Sequence, residues 1–157
     1  MCKSLMSTEE KREKEFPKYN HLIEEAAGNN KEALEYLKLL STAARLSDDL
    51  YDNDYPVTGK EKLHLIETLF LTIPSNKFFR DNYVFLLSQH MVMWNTWELS
   101  NTLDHNDPDE IDRIYSHVIR DYFYNIVPLV ALLTQGKKEM KRINYLTYYT
   151  YRKKLGE

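Results

Sequence analysis

The stretch from Tyr83 to Leu103, YVFLLSQHMVMWNTWELSNTL, decides how this chain is read. On a helical projection Tyr83, Leu87, His90, Trp94, Trp97 and Asn101 share one face, and Phe85, Val92, Leu99 and Leu103 share the opposite one. A helix that is apolar on two sides has to be surrounded by other helices. The pattern therefore predicts an all-α, single-domain bundle of about six helices, with residues 83–103 as its central buried helix. The uncharged run from Asn82 to Trp97 still holds Gln89, His90 and Asn95. It falls short of the roughly 18 apolar residues that a bilayer span requires, so it reads as a helix buried in protein.

Outward from this stretch, capping signals divide the rest of the chain into helices. Ser7-Thr8-Glu9-Glu10 resembles a capping box, with Pro17 interrupting the helix it opens and Gly28-Asn29-Asn30 ending it. Asn30 caps a second helix to Asp52, whose apolar positions include Ala33, Tyr36, Leu37, Leu40, Ala43 and Ala44. Thr58 caps a third, expected to close before Pro74, and Ser75 restarts the chain into the long fourth. Asp107-Pro108-Asp109-Glu110 reads as an Asp N-cap with Pro at the first helical position. Pro128 predicts a kink near Tyr124, Gly136 ends the fifth helix, and a sixth covers about 137–154. Residues 1–7 and 155–157 are expected to be mobile. No alternating strand pattern occurs.

The 157 residues fit one domain with a core of its own, and the single cysteine, Cys2, rules out an intrachain disulfide. With no apolar leader at the N-terminus, a cytoplasmic location is expected. Twelve tyrosines suit half-buried positions and interfaces. The net charge of −3 conceals an asymmetry: residues 137–157 carry seven Lys and Arg against two Glu. A basic tail on an acidic body favours an acidic partner, or folds back on its own body.

The chemically suggestive feature is Asp48-Asp49-Leu50-Tyr51-Asp52 at a helix end. The negative end of the helix dipole lies there, so each carboxylate is disfavoured by roughly a few tenths of a kcal/mol. Asp48 and Asp52, one turn apart, place two carboxylates at the edge of the buried face, while Asp49 points toward water beside Arg45. Oxygen pairs of this kind suit Mg²⁺, which bridges to substrate phosphate. Solvated acids, with Asp49 paired to Arg45, are the plainer reading.

The five residues resemble the first aspartate-rich motif, DDxxD, of class I isoprenoid synthases, in which the motif also ends a helix and holds Mg²⁺ for a diphosphate. That family's second metal motif has no counterpart here; the nearest segment, Asp121-Tyr122-Phe123-Tyr124-Asn125, lacks the pattern. A wider resemblance runs through Ser47-Asp48-Asp49-Leu50-Tyr51-Asp52, Asn76-Lys77-Phe78-Phe79-Arg80-Asp81-Asn82 and Trp94-Asn95-Thr96-Trp97-Glu98. This order is similar to small helical proteins of tailed bacteriophages, a group with no assigned activity. The resemblance implies a place in the host cytoplasm or the virion.

A metal site at Asp48 and Asp52 needs further ligands. Asp121 is the expected third metal ligand, with Asp49, Glu98, Asn101, His117, Trp94 and Asn125 around a phosphate-containing small molecule. His117, Asp121 and Asn125 follow one edge of an apolar face made by Ile111, Ile114, Val118, Tyr122 and Leu129. For His90 and His117 the alternative is a hydrogen-bonded core residue, and for Asn101 a buried amide bonding a neighbouring helix.

The C-terminal helix is the second constellation. Lys141, Arg142, Tyr148, Tyr151 and Arg152 form a basic, aromatic surface suited to a protein partner. Cations and stacking rings also suit nucleic acid, but the overall negative charge argues against that use. The alternative packs Ile143, Leu146, Tyr145 and Tyr149 on the body. Two readings follow: a Mg²⁺-dependent site for a phosphate-containing ligand, or a non-enzymatic, virion-associated or interaction protein.

Overall fold

A computed structural model describes residues 17–155, with side chains from 21 to 150. The described chain is helical throughout and contains no strand. The capping box at Ser7, Cys2 and most of both expected mobile ends lie outside the described residues, and α8 runs through Leu155. No described helix is long and apolar enough to cross a membrane.

In chain order the helices are α1 (Pro17–Ala27), α2 (Lys31–Asp52) and α3 (Gly59–Glu67), the last continued by a π-helical turn (Thr68–Thr72) and a final α turn (Ile73–Ser75). Then come α4 (Lys77–Asp81), α5 (Tyr83–His105), α6 (Glu110–Arg120), α7 (Phe123–Gln135) and α8 (Lys137–Leu155). Asn30 caps α2 as read, its Oδ1 accepting from the Ala33 N–H at 3.0 Å. Thr58 and Glu61 close a reciprocal capping box on α3. Gly28 takes φ +55°, and a Cβ there would lie 2.7 Å from the Gln135 side chain. The Gln135 amide donates to the Glu25 and Ala26 carbonyls at 2.9 and 3.0 Å, satisfying the end of α1 from α7.

Several boundaries differ from the sequence reading. The third helix does not close before Pro74. Proline lacks an N–H and crowds the carbonyl four residues back. The π turn just ahead of it, in which the Ile73 N–H reaches the Thr68 carbonyl, widens the coil and carries the helix to Ser75. The next cap is Asn76, not Ser75: its Oδ1 accepts from the Phe79 N–H at 2.9 Å, and its Nδ2 donates to the Glu32 carbonyl at 3.0 Å. One buried amide thus starts α4 and ties it to α2. The cap of α6 is Asp109, in a reciprocal box with Asp112, while Asp107 takes a left-handed φ of 53°. The kink expected near Tyr124 is a full break at Asp121–Tyr122, where Asp121 leaves helical geometry.

The larger correction concerns the centre. Of α5, only Leu86, Ser100 and Asn101 are buried, and Trp94, Val84 and Met91 are exposed. The centre belongs to α2 and α7. Tyr36, Leu37 and Leu40 of α2 meet Ile126, Val127, Val130 and Ala131 of α7 in one core, closed by Leu22 and Ile23 of α1 and Ile143 of α8. The run Phe123–Gln135 carries no charge at all, which suits a helix walled in by others. By contrast α5 packs mainly on α6, and this pair forms a hairpin set against the body.

α8 folds back on the body. Ile143 and Thr147 form its buried side, and Arg142 bridges Glu139 and Glu25 at 2.7 and 2.5 Å. Those hydrogen bonds hold the Arg142 guanidinium above its ordinary pKa. Tyr145 and Tyr149, read as packing residues, are exposed. A helix repeats every 3.6 residues, so the side carrying Ile143 and Thr147 leaves 145 and 149 facing outward.

Candidate functional site

The buried positions of α2 step by three from Leu37 through Leu40, Ala43 and Leu46 to Asp49. Three residues turn a helix by less than one revolution, so the buried stripe winds around α2 along its length. Its first half faces α1 and α7. Its second half faces α3, where Ala43 and Leu46 pack with Leu65 and Val57. Asp49 is therefore buried, at 8% exposure, and not water-facing as its projection suggests.

The same winding opens one edge of α2 to a cleft of about 510 Å³. Leu40, Ala43 and Ala44 floor it, with Arg45, Asp48 and Asp49 further along the helix. Met93, Trp94 and Trp97 of α5 form one wall. Arg120, Asp121, Phe123 and Tyr124 close it from the α6–α7 break, and Asp54 and Tyr55 lie at the loop after α2. A second hollow of about 650 Å³ at the α1–α2 turn is lined by Gly28, Asn29, Asn30 and their neighbours and has no aromatic wall.

Hydrogen bonds fix the cleft's walls. The Trp97 indole Nε1–H donates to Asp48 Oδ1 at 2.9 Å, joining α5 to α2 across the cleft. Tyr51 meets Trp97 edge to face at 5.2 Å, and Trp94 tilts against Trp97 at 5.3 Å. Arg120 gathers the hairpin: it donates to Ser100 Oγ at 3.2 Å, Asn101 Oδ1 at 3.1 Å and Asp104 Oδ2 at 2.5 Å. Arginine only donates, so the Asn101 amide has to present its oxygen there. Its Nδ2 is left buried without a partner. Below the cleft His90 and Tyr36 share a hydrogen bond of 2.8 Å, and Phe79 stacks on both rings. Burial pushes the His90 pKa down to about 4 and that of Tyr36 upward. His90 is thus the hydrogen-bonded core residue of the plainer reading.

The sequence-derived site residues divide accordingly. Asp48, Asp49, Asp121 and Trp94 line one cleft. Asp52 does not line it; its carboxyl is held above the usual range by burial and then by Asp48 and Asp54, against the opposing pull of Arg120 and His105. Glu98, His117 and Asn125 are exposed and outside the cleft, and Asn101 lies behind it on Arg120. Among the described residues no group of three or more His, Cys, Asp and Glu side chains is arranged to hold a metal ion. On α8, Lys141 and Tyr148 are exposed and Arg142 is engaged by Glu25, while the side chains of Tyr151 and Arg152 lie outside the described ones. Arg120, Tyr55 and Tyr124 are cleft residues that sequence reasoning missed, and Asp54, an acid of the same cluster just beyond α2, lines the cleft as well. Pro128 marked a disturbance in this part of the chain, but α7 continues through it from Phe123 to Gln135, and the break that exposes Arg120 and Tyr124 lies at Asp121–Tyr122.

The cleft's electrostatics follow from its lining. Four carboxylates, Asp48, Asp49, Asp54 and Asp121, face two guanidinium groups, Arg45 and Arg120. Arg120 is compensated from behind by Asp104, which is not a lining residue. The cavity therefore carries an acidic balance inside aromatic walls. No protein-family model, curated protein or solved structure matches this chain.

Proposed function

We propose that this protein binds a small organic cation with a flat apolar body in the cleft between α2 and α5. The observation that carries the reading is the pairing of an acidic lining with the Trp94–Trp97 wall in one cavity. A volume of about 510 Å³ falls within the range of small-molecule sites, roughly 300–1,000 Å³. Indole faces attract cations, and the attraction grows where water is excluded. Trp94 is 60% exposed, so its ring is available to a ligand. An apolar floor of Leu40, Ala43 and Ala44 supplies the contact that a flat body needs.

A second reading keeps Mg²⁺ and a phosphate-containing ligand. Arg45 and Arg120 on the same walls favour it, because a phosphate in this cavity needs both a cation and a guanidinium to offset the carboxylates. Asp48 and Asp121, the two predicted metal ligands that reach the cleft, are its ligands in this version.

The chain's two tryptophans are both in the cleft, so intrinsic fluorescence reports directly on it. Titration of the full chain with aromatic ammonium compounds, and with neutral compounds of the same shape, tests the first reading. A saturable change with the cation, at least tenfold weaker for the neutral compound and for Asp121→Asn, is the expected result. Equal binding of charged and neutral probes, or none, refutes it. Inorganic phosphate with and without Mg²⁺ tests the second reading. Phosphate binding that requires Mg²⁺ and is lost in Asp48→Asn supports that version.

A further inference from the structure

The four carboxylates that line the cleft are not equivalent. Asp49 and Asp121 each already take part in an interaction within the chain. Asp54 is exposed in the loop after α2, where water screens its charge. Asp48 differs from all three. It is half-buried, and its Oδ1 accepts the Trp97 indole N–H at 2.9 Å. A carboxylate has two oxygens and accepts on both. Among the described residues no N–H or O–H donates to the second oxygen, and no Lys or Arg pairs with the group. Asp52, one turn along α2, adds repulsion. The indole that holds Oδ1 is itself braced, edge to face by Tyr51 at 5.2 Å and by the tilted ring of Trp94 at 5.3 Å. Trp97 is thus a positioning residue, restraining the Asp48 carboxylate at the cleft wall.

We propose that Asp48 is the anchor of the cleft and accepts a hydrogen bond from the ligand, so that the cation is a protonated primary or secondary amine and not a quaternary ammonium. The inference rests on the cation reading of the cleft and narrows it to one ligand class. Both kinds of cation gain the attraction of the acidic lining and the indole faces. Both can lay a flat body on the exposed Trp94 ring. Only the protonated amine carries an N–H. It forms a charge-assisted bond to the second Asp48 oxygen, about twice as strong as a bond between neutral groups. A quaternary ammonium covers that oxygen without supplying a donor, and loses its hydration with nothing in return. A hydrogen bond to a charged group corresponds to an affinity gap of roughly ten- to hundredfold.

Three probes of one shape test this on the full chain: 2-phenylethylammonium, its N,N,N-trimethyl derivative, and 2-phenylethanol, each titrated by tryptophan fluorescence. In the wild type the primary ammonium is expected to bind about tenfold or more tighter than the trimethyl compound. Asp48→Asn keeps an oxygen for the Trp97 N–H but turns the second acceptor into a donor, so the wall stays in place and the gap between the two cations is expected to close. An unchanged circular dichroism spectrum checks that the variant is folded. Asp121→Asn is expected to weaken both cations by the same factor and leave the gap as it was, because Asp121 acts through its charge alone. Two cations that bind equally, and both better than the alcohol, overturn the role of Asp48 and leave the cation reading standing. A gap that survives in Asp48→Asn does the same. Cations that bind no better than the alcohol overturn the cation reading and this assignment with it.

Discussion

Acidification should destabilise this protein through His90. The imidazole forms a cluster with the Tyr36 and Phe79 rings, each within 6 Å of the other two, and is hydrogen-bonded to the Tyr36 hydroxyl at 2.8 Å. Burial disfavours its charged form and lowers its pKa to about 4, against about 6.5 in an unfolded chain. Between these values the unfolded chain takes up a proton that the folded chain refuses. Stability is therefore unaffected above pH 6.5, falls as pH drops below it, and has lost the full amount once pH is below 4. The gap corresponds to about 3 kcal/mol in full, and to about 2.5 kcal/mol at pH 4.5. The comparison is Tyr36→Phe/His90→Phe, which keeps flat rings in both places and leaves no orphaned hydroxyl. Denaturant unfolding of both proteins at pH 7.5 and 4.5 measures the effect. Carboxylates titrate in both, so their contribution cancels, and the wild type should lose about 2.5 kcal/mol more than the double variant. Equal losses would refute the reasoning, as would an NMR titration showing His90 protonating near 6.5 in the folded state.

Three further outcomes follow from the same contacts. Arg120→Lys should cost about 2 kcal/mol or more in chemical denaturation, because an ammonium cannot serve Ser100, Asn101 and Asp104 at once. Asn76→Ala removes the cap of α4 and the bond to the Glu32 carbonyl together, and should lower stability by about 2–3 kcal/mol. The Asp52 carboxyl should titrate above the usual carboxylate range in a carbon-detected NMR experiment, and Asp48→Asn should bring it down by removing a neighbouring negative charge. An Asp52 titration that Asp48→Asn leaves in place would show the repulsion to be negligible.

The local signals in the sequence were reliable wherever one residue decides the backbone. Asn30, Thr58, Gly28 and Gly136 end or begin helices by hydrogen bonding or by positive φ, and each acts where the sequence put it. Two near misses, Ser75 for Asn76 and Asp107 for Asp109, have one cause. Adjacent capping residues compete, and the one whose side chain also meets a neighbour prevails: Asn76 through Glu32, Asp109 through Asp112. The acidic cluster stood out in the sequence because it sits against a helix dipole at a core edge, and Asp48, Asp49 and Asp121 line one cavity.

By itself, then, the sequence determined that this chain is all-α, where most helices start and stop, and that one helix ends in a cluster of acids. Only the tertiary structure decided which helix is central and which carboxylates meet. Apolar periodicity says that a face is to be covered but not by what, and α5 and α6 both carry apolar faces that the body leaves uncovered. The buried stripe of α2 winds because its neighbours change along its length, and this exchanges the roles expected for Asp49 and Asp52. The cleft itself arises from the break at Asp121–Tyr122, which brings Arg120 and Tyr124 to face a helix some seventy positions earlier in the chain. No local spacing rule encodes a contact at that separation.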